Sequence, residues 1–310
     1  MPTRGEIQQE ILSNRSSSQD VVRKRYLKEL HEYTKRDTII YASAFTTKKI
    51  PNLPSGVLSV SLDDVQAFMA ARHQLKGKEL DLILHSPGGS LEAAEQIVLY
   101  LRKQYDHIRV IIPQNAMSVA TMLACAADEI VMGAHSAIGP IDPQITFPTQ
   151  NGLFTAPAQT ILDEFEQAKK EVIADPRVSP LWINKISAIP HGFLQICRNS
   201  ITLSNTKVAE WLDTYMFKGS EPKGKGIADW LVSNREHLTH SRPINIDQAR
   251  DIGLKVVELE KNHEFQERVL SLFHATMITL EITDCVKLVE NHLGKGIFVQ
   301  VHFQQPVKQK

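Results

Sequence analysis

Cysteine is scarce in this chain. Cys125, Cys197 and Cys285 are the only three in 310 residues, an odd number with no CxxC pair. That excludes a disulfide framework and a thiolate zinc site, and it suits a reducing compartment. Net charge is also missing. Lys and Arg total 35 and Asp and Glu total 35, so no overall field draws the chain to nucleic acid or to an anionic membrane, and no local basic patch stands out. No apolar run reaches the roughly 18 residues of a membrane span, since even LFHATMITL at 272–280 is too short and too polar. The opening MPTRGEIQQEILSNRSSSQD lacks the apolar core of a secretory signal. Trp182, Trp211 and Trp230 are too scattered for a base-stacking surface and are expected to pack. The Gly-rich stretch from Lys218 to Gly226 lacks the order of a phosphate-binding loop. Internal repeats and low-complexity tracts are absent. What remains is a cytoplasmic protein with no expected cofactor or metal. Its 42% hydrophobic content and its length allow one large α/β domain with additions, or two modest domains.

Residues 1–15 are expected to be frayed or a loose helix. From Ser17 onward Val22, Tyr26, Leu27, Leu30 and Tyr33 recur at helical spacing among many charges, which predicts an amphipathic helix with a solvated charged face. Asp37 to Ser43 is branched and aromatic, as strands are. Pro51, Pro54 and Gly56 mark a loop, and Ser61 followed by two acids caps a helix running to about Gln74. Leu80–His85, Ile108–Ile112 and Glu129–Met132 are short apolar runs of the kind buried on both faces of a parallel sheet. Between them lie a helix bearing Leu91, Ala94, Ile97, Val98 and Leu101 on one face, and a second helix over Ser118–Ala126. Alternating strands and helices with short connections predict parallel strands joined by crossovers. A long helix is expected over 157–174, no regular structure through Pro176, Pro180 and Pro190, and a helix over Val208–Met216. A short helix closed by Gly253 and then a strand should follow Asn245, and the tail should add a helix from Phe265 and a strand from Gly296 to Phe303.

Two loops at carboxyl ends of neighbouring strands would face one site, because ligands bind at that edge of a parallel sheet. One is Ser86-Pro87-Gly88-Gly89; the other is Ala116-Met117-Ser118. Adjacent glycines let the backbone turn an N–H outward without a Cβ penalty. A serine at a helix start sits where free N–H groups and the helix dipole favour developing negative charge. Together they supply what acyl transfer needs, a nucleophile beside preorganised donors worth about 3 kcal/mol each to an oxyanion. Either piece alone is more often only a turn or a helix cap, and it is the two together that are specific.

The stretches HSPGGSLEAAEQI, NAMSVATMLACAADEIVMG and AIGPIDPQ resemble the Clp-protease/crotonase superfamily, and within it the serine dehydrogenase proteinase family, related to signal peptide peptidase A. The resemblance is strong from about Asp37 to Gln144 and returns at HSRPINIDQARDIGL, residues 240–254. It implies a Clp/crotonase-like parallel sheet with crossover helices and a C-terminal α-rich extension. The corresponding divisions are a helical segment at 1–36, a peptidase domain at 37–260 and an extension at 261–310. It also implies self-assembly, a peptide or protein substrate, and peptide-bond hydrolysis by Ser118. The N–H groups of Gly89 and Val119 would form the oxyanion hole, with Gly88 shaping the turn.

The base is left open by this resemblance. The position of the Clp histidine falls at about Ile141, so a Clp-type triad is not supported, whereas signal peptide peptidases use a lysine from a later helix. Such a lysine must be neutral, which burial achieves. On the helix over 157–174 the apolar stripe is Ile161, Phe165, Ala168 and Val172. Lys169 flanks it and Lys170 points nearly opposite, so Lys169 is preferred over Lys170, Lys185 and His191. His237 and His240 have helical metal-ligand spacing but no third ligand nearby, so hydrogen bonding is the expected role. Asp142, between two prolines, is expected to form a turn. Two other readings stay open: a crotonase-type acyl-coenzyme A enzyme, and an inactive assembly or binding module of the same fold.

Overall fold

The computed structural model describes residues 2–13, 18–47, 53, 56–149, 152–187 and 189–301. Its elements in chain order are α1 (Arg4–Ser13), α2 (Ser18–Thr34), β1 (Asp37–Ser43), α3 (Leu62–Arg72), β2 (Glu79–His85), α4 (Leu91–Gln104), β3 (His107–Ile112), β4 (Asn115–Ala116), α5 (Val119–Cys125), β5 (Glu129–Met132) and β6 (Ala137–Ile138). There follow β7 (Gln144–Thr149), β8 (Gly152–Pro157), α6 (Ala158–Ala174), α7 (Ser179–Ser187), α8 (Phe193–Trp211), α9 (Gly224–Val232) and α10 (Asn234–His237). The chain closes with α11 (Ile246–Asp251), β9 (Val256–Glu258), α12 (His263–Ile282), β10 (Cys285–Asn291) and β11 (Gly296–Gln300). Two compact units divide it: Met1–Ile138 with Asn245–Lys310, and Gly139–Ile244.

The first unit is built on a seven-stranded sheet in the order β11-β10-β1-β2-β3-β5-β9. The five strands from β1 to β9 run parallel, and β10 adds antiparallel to β1. Alternation along each strand divides the core. Ile83 and Ile111 join Leu27, Leu30, Val269 and Leu272 on the face covered by α1, α2 and α12. Leu82 and Val110 instead meet Val98, Leu101 and Leu123 of α4 and α5. Burial on both faces explains why these strands are continuously apolar rather than alternating. This is the expected Clp/crotonase-like α/β architecture.

The second unit pairs the antiparallel hairpin β7–β8 with α6 to α10. Its core gathers Ala156, Ile161, Phe193 and Cys197, with Phe147 and Leu162 packed against them.

Several elements depart from the sequence expectations. Of the two expectations for the first residues, frayed or a loose helix, residues 4–13 take the helix, but with Ile7 and Ile11 fully buried rather than loose. The prolines at 176, 180 and 190 do not keep the region irregular. Pro180 lies in the first turn of α7, where a missing N–H costs nothing. The helix expected over Val208–Met216 is the end of a 19-residue α8, continued by a π-helical turn at Leu212–Met216. Strand β10 and the hairpin were not anticipated. The Asn151-Gly152 dipeptide between alternating apolar residues is a hairpin signal that was available. Pro51 and Pro54 lie outside the described residues, as do residues 302 and 303 of the expected final strand.

Candidate active site

Strand β2 delivers the glycine loop and β3 delivers the serine loop, side by side because the strands are adjacent and parallel. Backbone hydrogen bonds stitch the loops together: Ser86 N–H donates to the Asn115 carbonyl at 3.1 Å and Met117 N–H to the Ser86 carbonyl at 2.9 Å. On its other side the serine loop is held by the parallel pair β4–β6, which places Ala116 opposite Ile138. The Thr121 hydroxyl donates to the Ala116 carbonyl at 2.8 Å.

Ser118 sits at the sharp turn from this short strand into α5. Its backbone has φ 52° and ψ −121°, outside the ordinary left-handed helical well, and a β-carbon-bearing residue held there costs about 1–3 kcal/mol. The hydroxyl makes no capping bond to α5. A serine that only capped the helix would have an extended backbone and a bonded hydroxyl; this one has neither, and it is partly exposed while α5 behind it is buried.

Gly88 and Gly89 are required by contact as well as by conformation. At Gly88, with φ 97°, a β-carbon would lie 2.8 Å from both the Ser118 Cβ and the Val119 nitrogen. At Gly89, with φ 153°, it would lie 2.3 Å from the Val60 carbonyl oxygen. Val60 clamps the loop by accepting from Ser90 N–H at 2.9 Å and donating to the Gly88 carbonyl at 2.7 Å. The N–H groups of Gly89 and Val119 donate no hydrogen bond among the described residues.

His85 closes β2 beneath the glycine loop, fully buried between the rings of Phe45 and Phe273. Burial pushes its pKa down to about 3, so the ring is neutral. Its Nδ1 accepts from Asn115 N–H at 3.4 Å, which leaves Nε2 to donate to the Thr46 hydroxyl at 3.1 Å. This histidine thereby ties the two loops together from below.

The base candidates all belong to the second unit, and all are exposed. Lys169 has a side chain 58% exposed and pairs with Glu166 at 3.6 Å. Lys170 and His191 face solvent. Lys185 pairs with Glu164 and lies over the Trp182 ring. None has the burial that would hold a lysine neutral.

Sequence reasoning undervalued Asp142. It is 2% exposed and accepts from Gln144 Nε2 at 2.8 Å, Asn234 Nδ2 at 3.2 Å and His240 Nδ1 at 2.7 Å. Carboxylate contact at Nδ1 leaves Nε2 of His240 as the proton-accepting nitrogen. The partners lie 92 and 98 positions away in sequence, so only the pair of flanking prolines was visible, and those signal a turn. His237 instead bonds the Trp230 carbonyl and stacks edge-on against that ring.

Residues 13–286 match the family described as ClpP-like SDH-type serine proteinase. Two uncharacterized proteins of Methanocaldococcus jannaschii are each 31% identical to the chain, over 199 and 194 residues, covering 63% of it in both cases. The chain spans 59% and 57% of those relatives' own lengths. Among solved structures, a serine-to-alanine variant of a membrane-bound stomatin-specific protease aligns with TM-score 0.39 and 13% identity, covering 68% of this chain and 79% of that one. A lysine-to-alanine variant of that protease in complex with a substrate peptide aligns with TM-score 0.38 and 17% identity, over 64% and 70%. A probable enoyl-CoA hydratase/isomerase from Mycobacterium abscessus gives 0.30 and 15%, over 74% and 76%.

Proposed function

Since the chain belongs to the ClpP-like SDH-type serine proteinases, we propose that it hydrolyses peptide bonds with Ser118 as the nucleophile. The observation that carries this reading is the strained backbone of Ser118, which withholds its hydroxyl from the helix cap and sets its β-carbon beside Gly88. In the reaction, the Ser118 oxygen attacks the peptide carbonyl as a base takes its proton. The oxyanion accepts hydrogen bonds from Gly89 and Val119 N–H, two donors free for the purpose. Collapse expels the amine, which takes back the proton, and water then releases the acyl group by the same steps in reverse.

For the base we infer a lysine, and Lys169 is the residue named. To act, its ammonium has to lose its proton, so substrate binding must desolvate it and displace Glu166. A second reading rests on a specific observation. His240, oriented by buried Asp142, already has the carboxylate-held imidazole that serine hydrolases use.

A fluorophosphonate probe and a peptide library test both halves of the proposal. Wild-type protein is expected to label and to cleave, and Ser118→Ala to lose both. Labelling or cleavage that survives Ser118→Ala overturns the nucleophile. Loss of about 100-fold or more in Lys169→Ala but not His240→Ala supports the lysine, and the reverse pattern transfers the role to the histidine. Coenzyme A binding without cleavage would return the chain to the crotonase-type reading.

A further inference from the structure

A buried charge pair lies under the glycine loop and takes no direct part in the chemistry proposed above. Lys287 of β10 and Asp64 of α3 are 3% and 2% exposed. The Lys287 ammonium meets Asp64 Oδ1 at 2.9 Å and Oδ2 at 3.0 Å. Two charges taken out of water rarely repay their desolvation in stability, and apolar replacements often do as well. Such a pair is therefore better explained by what it holds in place than by stability.

What it holds can be followed atom by atom. The Lys287 ammonium also donates to the Ser59 carbonyl at 2.9 Å, and Asp64 Oδ2 accepts from Ser61 N–H at 2.8 Å. The pair thus grips the residue on each side of Val60. Val60 is the residue whose N–H and carbonyl bracket the glycine loop, and a β-carbon at Gly89 would collide with it. From β1 the Tyr41 hydroxyl, fully buried, donates to Asp64 Oδ2 at 2.9 Å. Within the loop itself Ser86 Oγ accepts the Gly88 N–H at 3.3 Å. One carboxylate therefore gathers the Lys287 ammonium, the Ser61 N–H and the Tyr41 hydroxyl, and it reaches the glycine loop through Val60.

We propose that Lys287 and Asp64 are positioning residues, which set the backbone of Gly88 and Gly89 through Val60 and so aim the Gly89 N–H at the developing oxyanion. The catalytic part of this statement rests on the hydrolase reading; the positioning part does not. Hydrogen bonds to an oxyanion depend steeply on donor placement, so loosening the loop should slow turnover far more than it weakens substrate binding.

The test uses the full chain and two independent readouts. In Lys287→Met, the hydrogen-bonded amides of Val60 and Ser90 should exchange with deuterium about tenfold faster or more, relative to those of Ile111 and Val131 in the same protein. In the same variant kcat should fall about tenfold or more with KM within about twofold, and Lys287→Arg should restore part of both effects. Tyr41→Phe removes one hydroxyl and leaves the charge pair intact, so it serves if Lys287→Met does not fold; it should quicken the same two amides. Unchanged exchange at Val60 and Ser90 in a folded variant overturns the proposal, as does equal quickening across the sheet. If the wild-type protein neither labels nor cleaves, the hydrolase reading falls while the exchange data still decide the positioning role.

Discussion

At single residues, the site depends on groups that a polar environment would have treated differently. Ser118 is held in a costly backbone conformation by the hydrogen bonds of its loop, and His85 is held neutral by burial among aromatic rings. The histidine has a measurable consequence. An unfolded chain binds a proton at His85 below about pH 6.5, whereas the folded chain resists it until about 3. Its contribution to stability is complete above the unfolded value and is lost as pH falls toward 3, at about 1.4 kcal/mol per pH unit. His292, pushed down to about 4 by burial and by its stacked neighbour His31, acts in the same direction. Urea unfolding at pH 7 and pH 5 should therefore show an acid loss that is smaller by about 2 kcal/mol in His85→Gln than in the wild type. Identical losses would mean that His85 already exchanges protons freely in the folded chain.

Among elements, charge burial couples segments far apart in sequence. The helix expected from residue 17 onward forms as α2 with its apolar stripe inward, yet Arg23 is fully buried rather than on the solvated face. Its guanidinium donates to Glu290 of β10 at 2.7 Å, to Thr279 of α12 at 3.2 Å and to Asp20 at 2.6 Å. With Glu290 fully buried too, removing the arginine strands a carboxylate in the core. Arg23→Ala should cost about 3–5 kcal/mol in chemical denaturation. The exposed pair Lys28–Glu32 on the same helix should cost no more than about 0.5 kcal/mol when Lys28 is replaced. A loss below 1 kcal/mol for Arg23→Ala would show that Glu290 finds another partner or a proton. Strand β10 thus serves twice: Glu290 anchors α2 and Lys287 anchors the Ser59–Ser61 strap.

For the whole molecule, the described residues contain no helix long and apolar enough to cross a membrane. The second unit nevertheless exposes Leu153, Ile173, Leu181 and Ile183, each more than half accessible. Ile183 also lines a cleft of about 490 Å³ together with Phe165, Val172, Trp182 and Ile186. Apolar surface of this kind is ordinarily covered by a partner, and the self-assembly expected from family resemblance makes a second copy of the chain the proposed occupant. Sedimentation velocity should find an oligomer in the micromolar range that shifts to smaller species in Leu181→Asp. A wild-type protein that sediments as a monomer throughout that range would remove the proposal.

The legible and the illegible parts of this protein separate by the range of the forces involved. Apolar runs at 80–85, 108–112 and 129–132, the cap at Ser61 and the loops at Gly88 and Ser118 were readable because periodicity, capping and turn chemistry act within a few residues. Strand β10 was not recognised, and the roles of Asp64, Asp142, Arg23 and Lys287 were out of reach, because each is defined by a partner about 90 to 270 positions away. A buried charge carries no local signature: in the sequence Arg23 and Lys287 are indistinguishable from solvated cations. The sequence by itself determined the parallel strands β1, β2, β3 and β5 and the two loops that follow β2 and β3. Tertiary packing alone decided which charges are buried, which serine is strained and what holds the glycine loop, since desolvation and ion pairing exist only once distant segments exclude water together.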